Sequence, residues 1–541
     1  MLTAAEYRAA RFGGIGAIAL ILAGIAVPVT ALLLAGSGAA SAGAALDAYL
    51  WRITWFTVMQ AVISTVLSVA LAVPLARALA RRPGFPGRAW ILRLFAVPLG
   101  LPALVAALGL LTVWGRQGAV NSGLAKLGLE EPFSIYGLTG ILIAHVFFNL
   151  PLTARLLLMG IERLPAEYWK NAAVLGMGGW STFRLIEWPA MARPAAGAAG
   201  LVFMLCVTSF TLVLVLGGGP AATTLEVAVY QALRFDFDPA RAVFLAFLQI
   251  VLTAVALLLL RLIPAPEEEA PLIAAATARP DVSGRTGAFI DTLVITLVVF
   301  FVGTPLAATI VSGLTSDFGR LAADPLVRRA TLTSLGIAAC ASILALTVAF
   351  LLVRLRQARD PVHAAATGGI LGSLAGGSGS FVLLVPPVVL GAGWFLLLSG
   401  ARGSTAVPVL LVIVINAMMA LPFVMRVLEP AYRTAASRNG RLALALGVTG
   451  WNRVRRIEIP ALARTIAAAL AFGMALSLGD LGAVAMFGSE SFVTLPYLLL
   501  QKMGSYRTAD AAGLALLLAV VCMGLMVISD RVAGPKTGER S

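Results

Sequence analysis

Residues 170–189 read KNAAVLGMGGWSTFRLIEWP, and residues 441–460 read RLALALGVTGWNRVRRIEIP. The two segments carry the same residue types at one constant spacing (447 − 176 = 271), namely Gly176 and Gly447, Trp180 and Trp451, Glu187 and Glu458, and Pro189 and Pro460. Both segments are basic, and both lie between long apolar runs. A basic loop that occurs twice predicts a duplicated chain with two equivalent surface sites, which we call the first and second repeated loops.

The composition around these loops is that of a membrane protein. Of the 541 residues, 60% are hydrophobic and 12% are charged, and the mean hydropathy is +0.95. Soluble globular chains are about 45–50% apolar and about 25% charged. Apolar runs near the length of about 20 residues that a membrane-crossing helix needs recur along the chain, without strand-like alternation. The sequence therefore predicts an all-α polytopic membrane protein.

About twelve transmembrane helices are expected, in two pseudo-symmetric six-helix halves. The candidate spans are roughly 13–35, 55–80, 91–114, 137–160, 194–217, 240–263, 287–313, 331–356, 377–399, 405–428, 465–488 and 510–530. A proline-rich and glutamate-rich stretch at 264–285 predicts a cytoplasmic linker between halves at 1–263 and 286–541. The halves share one span order, which is the pattern of a parallel repeat.

The charge distribution predicts the orientation of the spans. The net charge is +15, and the basic residues gather in alternate connections, around both repeated loops and at both chain ends. Nucleic-acid binding would explain a basic chain, but the excess of Lys and Arg in cytoplasmic loops explains it better. We therefore expect a multi-pass protein of the bacterial inner membrane, in contact with lipid and not with nucleic acid, with both termini cytoplasmic.

Each repeated loop is predicted to be a short helix, a glycine turn and a second short helix that ends at the proline. Gly176 and Gly447 are expected at the turn, where a side chain would find no room. Ala172 and Ala443 would allow close approach to a partner, and Trp180 and Trp451 would anchor it. An amphipathic helix lying on anionic lipid is the alternative, but two matched loops favour docking of a paired cytoplasmic partner.

The loops resemble the EAA loop of ABC-importer permeases, in which EAA is followed by glycine, isoleucine and Leu-Pro. The matching residues are Ala172, Gly176, Ile186 and Pro189 in the first copy and Ala443, Gly447, Ile457 and Pro460 in the second. Lys170 and Arg441 replace the glutamate of the family pattern.

Other segments extend the resemblance over nearly the whole chain, to the fused permeases of the iron(III)/thiamine type. AHVFFNLPLTARLLL (144–158) and SLGDLGAVAMFGS (477–489) look most like the permeases of bacterial thiamine (thiamine pyrophosphate) importers. The resemblance implies two copies of a cytoplasmic ABC ATPase on the repeated loops, and a periplasmic substrate-binding protein at the opposite face. A ferric-iron importer shares this layout and stays an alternative.

No motif for chemistry within the chain accompanies these features. The sequence has no GxxxxGK[ST] phosphate loop and no His/Cys cluster of metal-ligand spacing. We expect no enzyme activity, no metal and no cofactor, with ATP used only through partner subunits. An ion-coupled secondary transporter and a membrane scaffold are alternatives from other classes.

One carboxylate stands out within a predicted span. Asp480 lies 16 residues after Arg464 (480 − 464 = 16), which is about 24 Å along a helix. Its repeat partner is Ser209 (209 + 271 = 480). A carboxylate at that depth is a functional candidate, so Ser209 and Asp480 are predicted to line the substrate pathway. A capping role at a kinked helix is the alternative.

Overall fold

The computed structural model describes residues 3–37, 48–128, 133–262, 279, 284–357, 382, 384–398, 406–489, 492–505 and 507–533. Within these ranges the chain is helical without strands, and eleven helices are long and apolar enough to cross a membrane. A shorter apolar helix, Pro387–Leu398, lies at the predicted ninth span. The prediction of an all-α polytopic protein is confirmed. The predicted linker at 264–285 lies outside the described residues, apart from Arg279, Gly284 and Arg285.

The helices fall into two series. The first series is α1 (Ala4–Ser37), α2 (Ala48–Arg81), α3 (Arg88–Leu94), α4 (Val97–Gly100), α5 (Ala103–Trp114), α6 (Ala119–Lys126), α7 (Leu138–Glu162), α8 (Ala166–Val174), α9 (Gly179–Thr182), α10 (Trp188–Val207), α11 (Thr211–Leu216), α12 (Leu225–Arg234) and α13 (Pro239–Leu262). The second series is α14 (Arg285–Leu314), α15 (Phe318–Ala323), α16 (Pro325–Gln357), α17 (Pro387–Leu398), α18 (Ala406–Ala445), α19 (Gly450–Arg453), α20 (Ile459–Gly479), α21 (Gly482–Phe487), α22 (Leu495–Gly504) and α23 (Thr508–Ala533).

Packing divides the chain into two units. The N-terminal unit comprises Ala44–Val227 and Val251–Leu314, and the C-terminal unit comprises Met1–Gly43, Ala228–Ile250 and Thr315–Ser541. The first helix of each predicted half therefore packs in the unit formed mainly by the other half. The boundaries at 1–263 and 286–541 remain a prediction about the repeat in the sequence.

Close helix contacts and ion pairs hold these first helices in place. In the C-terminal unit α1 packs on α16, where a Cβ atom on Gly14 would come within 2.5 Å of the Leu355 side chain. Small residues allow such close approach between membrane helices. In the N-terminal unit the buried Asp291 of α14 lies 3.5 Å from Arg81 and 3.4 Å from Arg82 at the end of α2.

The repeat is also visible in matched helix breaks. α10 stops at Val207 and α11 follows at Thr211, while α20 stops at Gly479 and α21 follows at Gly482. After each break the chain continues into a buried helix, α12 in one case and α22 in the other. The first N–H of α12, from Leu225, donates to the Thr57 hydroxyl at 3.0 Å. That of α22, from Leu495, donates to the Ser334 hydroxyl at 2.8 Å, so each buried N–H is satisfied without water.

Candidate functional site

The first repeated loop turns at Gly176 through a Schellman motif. The Met177 N–H donates to the carbonyl of Ala172 at 2.9 Å, and the Gly176 N–H donates to that of Ala173 at 3.1 Å. Gly176 has a φ of 62°, which places it in the left-handed region that this helix ending requires. The chain then continues into α9 in a new direction.

The second loop has the same turn, but the helix before it is the end of the 40-residue α18 (Ala406–Ala445). The prediction of a short first helix is therefore confirmed for the first loop and wrong for the second. The Val448 N–H donates to the carbonyl of Ala443 at 3.0 Å, the Gly447 N–H donates to that of Leu444 at 3.1 Å, and φ of Gly447 is 63°. A Cβ atom at Gly176 or Gly447 would meet nothing within 4 Å. The predicted reason for these glycines, a lack of room, is therefore wrong. Their backbone conformation is the constraint, because a side chain strains a residue with positive φ.

Each loop enters its membrane span through a π-helical turn, at Phe183–Glu187 and at Val454–Glu458. The Trp188 N–H donates five residues back, to the Phe183 carbonyl, and the Ile459 N–H does so to Val454. Pro189 and Pro460 follow these residues. Since proline has no N–H and crowds the carbonyl four residues earlier, it disfavours the regular helical pattern there. The prediction that the second short helix ends at the proline is wrong, because it continues into α10 and α20.

The predicted docking residues divide into exposed and buried groups. Trp180 and Trp451 are each 71% exposed, and Pro189 and Pro460 are exposed as well. Ala172 and Ala443 are buried, so they pack beneath the loops rather than on their surface. Both loops share the glycine turn and the π-helical turn, and each exposes its tryptophan between these two turns.

Under the first loop lies a buried carboxylate to which the sequence analysis gave no role. Glu187 is fully buried, and its Oε2 atom is 2.5 Å from Nε of Arg77 on α2. Its Oε1 atom is 2.7 Å from Nη2 of Arg279. Arg77 also donates to the carbonyl of Gly179, at 2.5 Å. A buried charge is stable only when it is paired, and removing one partner of such a pair costs about 3–5 kcal/mol.

The second loop carries the equivalent carboxylate, Glu458. It lies 3.6 Å from Nε of Arg354 on α16 and 3.3 Å from Nε of Arg453 in the loop itself. Arg77 and Arg354 are repeat partners (354 − 77 = 277), at the spacing that also relates Thr57 to Ser334 (334 − 57 = 277). These spacings could have singled out both arginines and both carboxylates in the sequence, but only the structure shows that they pair.

Ser209 and Asp480 occupy the matched helix breaks. Ser209 lies between α10 and α11, and Asp480 lies between α20 and α21. The Asp480 carboxylate accepts N–H groups from Gly482 at 3.3 Å and Ala483 at 3.5 Å, so it caps α21. Each residue lies in a different unit, and their predicted place on a substrate pathway remains a prediction.

The described part of the chain contains no group of three or more His, Cys, Asp or Glu side chains placed to hold a metal ion. The charged residues that the structure brings together at the loops are instead arginine–carboxylate pairs. Such pairs fix the shape of a loop and leave its tryptophan available for contact.

Comparison with known proteins identifies the class. Residues 68–265 and 363–534 match the model of the family described as the binding-protein-dependent transport system inner membrane component. The chain belongs to this family, which consists of transport-system components rather than enzymes. Membership of this family assigns the chain to the binding-protein-dependent importers. It excludes the two alternatives, an ion-coupled secondary transporter and a membrane scaffold.

Individual relatives show which permeases within the family the chain is similar to. The chain is 50% identical over 502 residues to the thiamine transport system permease protein ThiP of Brucella suis, covering 93% of this chain and 91% of the relative. It is 41% identical over 491 residues to the protein of the same name from Escherichia coli, with 90% of each chain covered. Identity to the sulfate transport system permease protein CysT of Escherichia coli is 28%, over 29% of this chain and 57% of that one.

Proposed function

We propose that this chain is the permease subunit of a binding-protein-dependent ABC importer that takes up thiamine or its phosphates. The observation that carries the proposal is the identity of 41–50% to thiamine permeases across at least 90% of the chain. The same relatives support thiamine over ferric iron. The two repeated loops supply the feature that energised uptake needs, a matched pair of surfaces for two power-supplying subunits.

The partners follow from this assignment. Two copies of a cytoplasmic ABC ATPase dock on the two loops, and a periplasmic substrate-binding protein delivers substrate at the opposite face. ATP is bound and hydrolysed by the ATPase subunits, and the permease itself holds no cofactor. Both chain termini and the connections richest in Lys and Arg lie in the cytoplasm, although Arg116, Lys126, Lys502 and Arg507 are basic residues of the opposite side.

The loops have the local structure that force transmission requires. Closure of the ATPase pair on ATP would move the loops together and convert the permease from inward-facing to outward-facing, a rigid-body change of the kind that packed interfaces allow. The glycine turn and the buried Glu187 pairs hold the first loop's two helices in one geometry. The exposed Trp180 and Trp451 then provide rigid aromatic contacts, the type enriched at binding hot spots.

Reconstitution tests the proposal directly. The permease is co-expressed with a candidate ABC ATPase, purified, and placed in liposomes with a candidate substrate-binding protein and radiolabelled thiamine. ATP-dependent uptake of thiamine, abolished by omission of the binding protein, is expected. Uptake of ferric iron in its place, or purification of the permease without any ATPase, would overturn the substrate or the docking assignment respectively.

A further inference from the structure

Each repeated loop keeps a buried carboxylate between two arginines, and only one arginine of each pair is a repeat partner. Arg77 and Arg354 come from equivalent places on α2 and α16, and they contact Glu187 and Glu458. The second arginine is Arg279 in the N-terminal unit and Arg453 in the C-terminal unit. In each unit the second arginine is thus a residue that the duplication did not supply.

In the N-terminal unit the second cation is Arg279, which precedes the start of α14 by six residues in the sequence. The Arg279 guanidinium lies 3.7 Å from the ring centroid of Trp169, in α8, and bonds to Glu187 in the π-helical turn. Arg279 and Trp169 are both buried. Because α8 and the π-helical turn are the two arms of the first loop, one guanidinium contacts both. Its planar shape suits stacking and ion pairing together.

In the C-terminal unit the first turn of α1 reaches the second loop. Glu6 is buried, and its Oε1 atom accepts the Gly450 N–H at 2.9 Å, while its Oε2 atom lies 3.5 Å from Nη1 of Arg453. Arg453 in turn contacts Glu458. A capping box fixes Glu6, since the Thr3 N–H donates to its carboxylate at 2.8 Å and the Glu6 N–H donates to the Thr3 hydroxyl at 3.3 Å.

We propose that Glu6 and Arg279 are positioning residues for the two docking loops. Glu6 lies in the first turn of α1 and Arg279 lies six residues before α14 in the sequence, and each bonds to the loop of the unit in which that helix packs. One is an acid and the other a base, so the repeat alone does not explain them. The shared task is to hold the loop at a fixed angle to its span, so that movement of the ATPase is transmitted rather than absorbed.

Spin-label mobility tests the positioning. Cys206, Cys340 and Cys522 are replaced by alanine, and a label is placed at Ser181 or at its repeat partner Asn452 in the full chain in lipid nanodiscs. Glu6→Gln is expected to raise mobility at 452 but not at 181, and Arg279→Gln to do the reverse. Arg320→Gln, which removes the Arg320–Asp510 pair, is the matched control and should change neither label.

The outcomes separate positioning from general stability. Equal loosening of both labels in each variant, or no change at either, would overturn the proposal. If Arg279→Gln does not fold, Arg279→Lys serves in its place, because lysine keeps the charge but not the planar stack over Trp169. Arg279→Lys should raise the label mobility at 181 by less than Arg279→Gln does, and should leave the mobility at 452 unchanged. An equal rise in mobility at both positions would count against the proposal.

A functional measurement links the positioning to transport and rests on the proposed function. In the reconstituted importer, Glu6→Gln and Arg279→Gln should retain bound ATPase while the ATP hydrolysed per thiamine rises several-fold. If the labels became mobile but the ATP hydrolysed per thiamine stayed the same, loop positioning would have no effect on the coupling of hydrolysis to transport. If the unmodified permease bound no ATPase, the docking function would fail, while the label result would still decide the positioning.

Discussion

Two glycines decide the direction of the repeated loops. Gly176 and Gly447 adopt φ values of 62° and 63° and end their helices with the same pair of hydrogen bonds. Open space surrounds both positions, so the size of a new side chain matters less than the backbone conformation it can adopt. Asparagine tolerates the left-handed region, whereas β-branched residues do not.

This difference gives a graded prediction at Gly447. Gly447→Val should strain the turn by about 1–3 kcal/mol and reduce co-purified ATPase several-fold, with membrane insertion unchanged. Gly447→Asn also adds a side chain, yet it should retain most of the association between permease and ATPase. The ATPase-to-permease ratio after affinity purification measures both. Equal losses for valine and asparagine would show that bulk, not conformation, is the constraint.

Asp480 is the other residue whose role a substitution can decide. Its carboxylate caps α21 through two N–H groups, and an asparagine side chain keeps an oxygen for that cap. If the negative charge favours the cationic thiazolium of thiamine on the pathway, Asp480→Asn should lower uptake several-fold while ATPase assembly and basal hydrolysis persist. Asp480→Ala, which also removes the cap, is the comparison for stability. Normal uptake in the asparagine variant would leave Asp480 with the capping role alone.

At the scale of elements, the π-helical turns couple each loop to its span. Pro189→Ala restores an N–H at the point where the helix departs from the regular pattern, so the π turn should relax toward an α-helix. That change would rotate the Trp180 side of the loop relative to α10. We expect weaker ATPase association at equal or higher thermal stability, measured by pull-down and a melting curve.

Pro239→Ala is the control for that experiment. Pro239 is the first residue of α13, where proline replaces an N–H that has no helical partner in any case. The Pro239 variant should therefore bind ATPase normally. Equal binding by the Pro189 and Pro239 variants would mean that the π turn has no part in docking.

The helices and turns that could be predicted are those whose signal lies within a short stretch of sequence. The glycine turns and most of the spans follow from residue type and from apolar run length, and the structure confirms them. The predicted span 91–114 is wrong in its bounds, because α3, α4 and α5 divide it and the candidate span there is Ala103–Lys126. The π turns were missed because the proline was taken as a helix end, although proline within the first turn of a helix is tolerated. Glu6 and Arg279 were missed because their loop contacts join residues far apart in the chain, at Arg453 and Glu187.

At the scale of the whole molecule, duplication explains the matched loops but not their surroundings. Glu187 and Glu458 are both retained, yet the second loop supplies its own Arg453 where the first has Thr182. Arg455 matches Arg184, but Arg456 takes the place of Leu185, so the second loop carries one more arginine there as well. We therefore expect alanine scans of the two loops to give unequal losses of ATPase binding, and matching losses would contradict this.

The orientation of the whole chain gives the last prediction. If the basic connections face the cytoplasm, both repeated loops lie on that side, and cysteines at Ser181 and Asn452 in a cysteine-free chain should be protected from a membrane-impermeant maleimide in spheroplasts. Both positions are exposed in the structure, so they should react once the membrane is permeabilised. A cysteine at Asp236 is the positive control: it is exposed between α12 and α13, the predicted span order puts it on the opposite side, and it should react before permeabilisation. Labelling at 181 or 452 in intact spheroplasts would reverse the assigned topology and remove the cytoplasmic ATPase from reach of that loop.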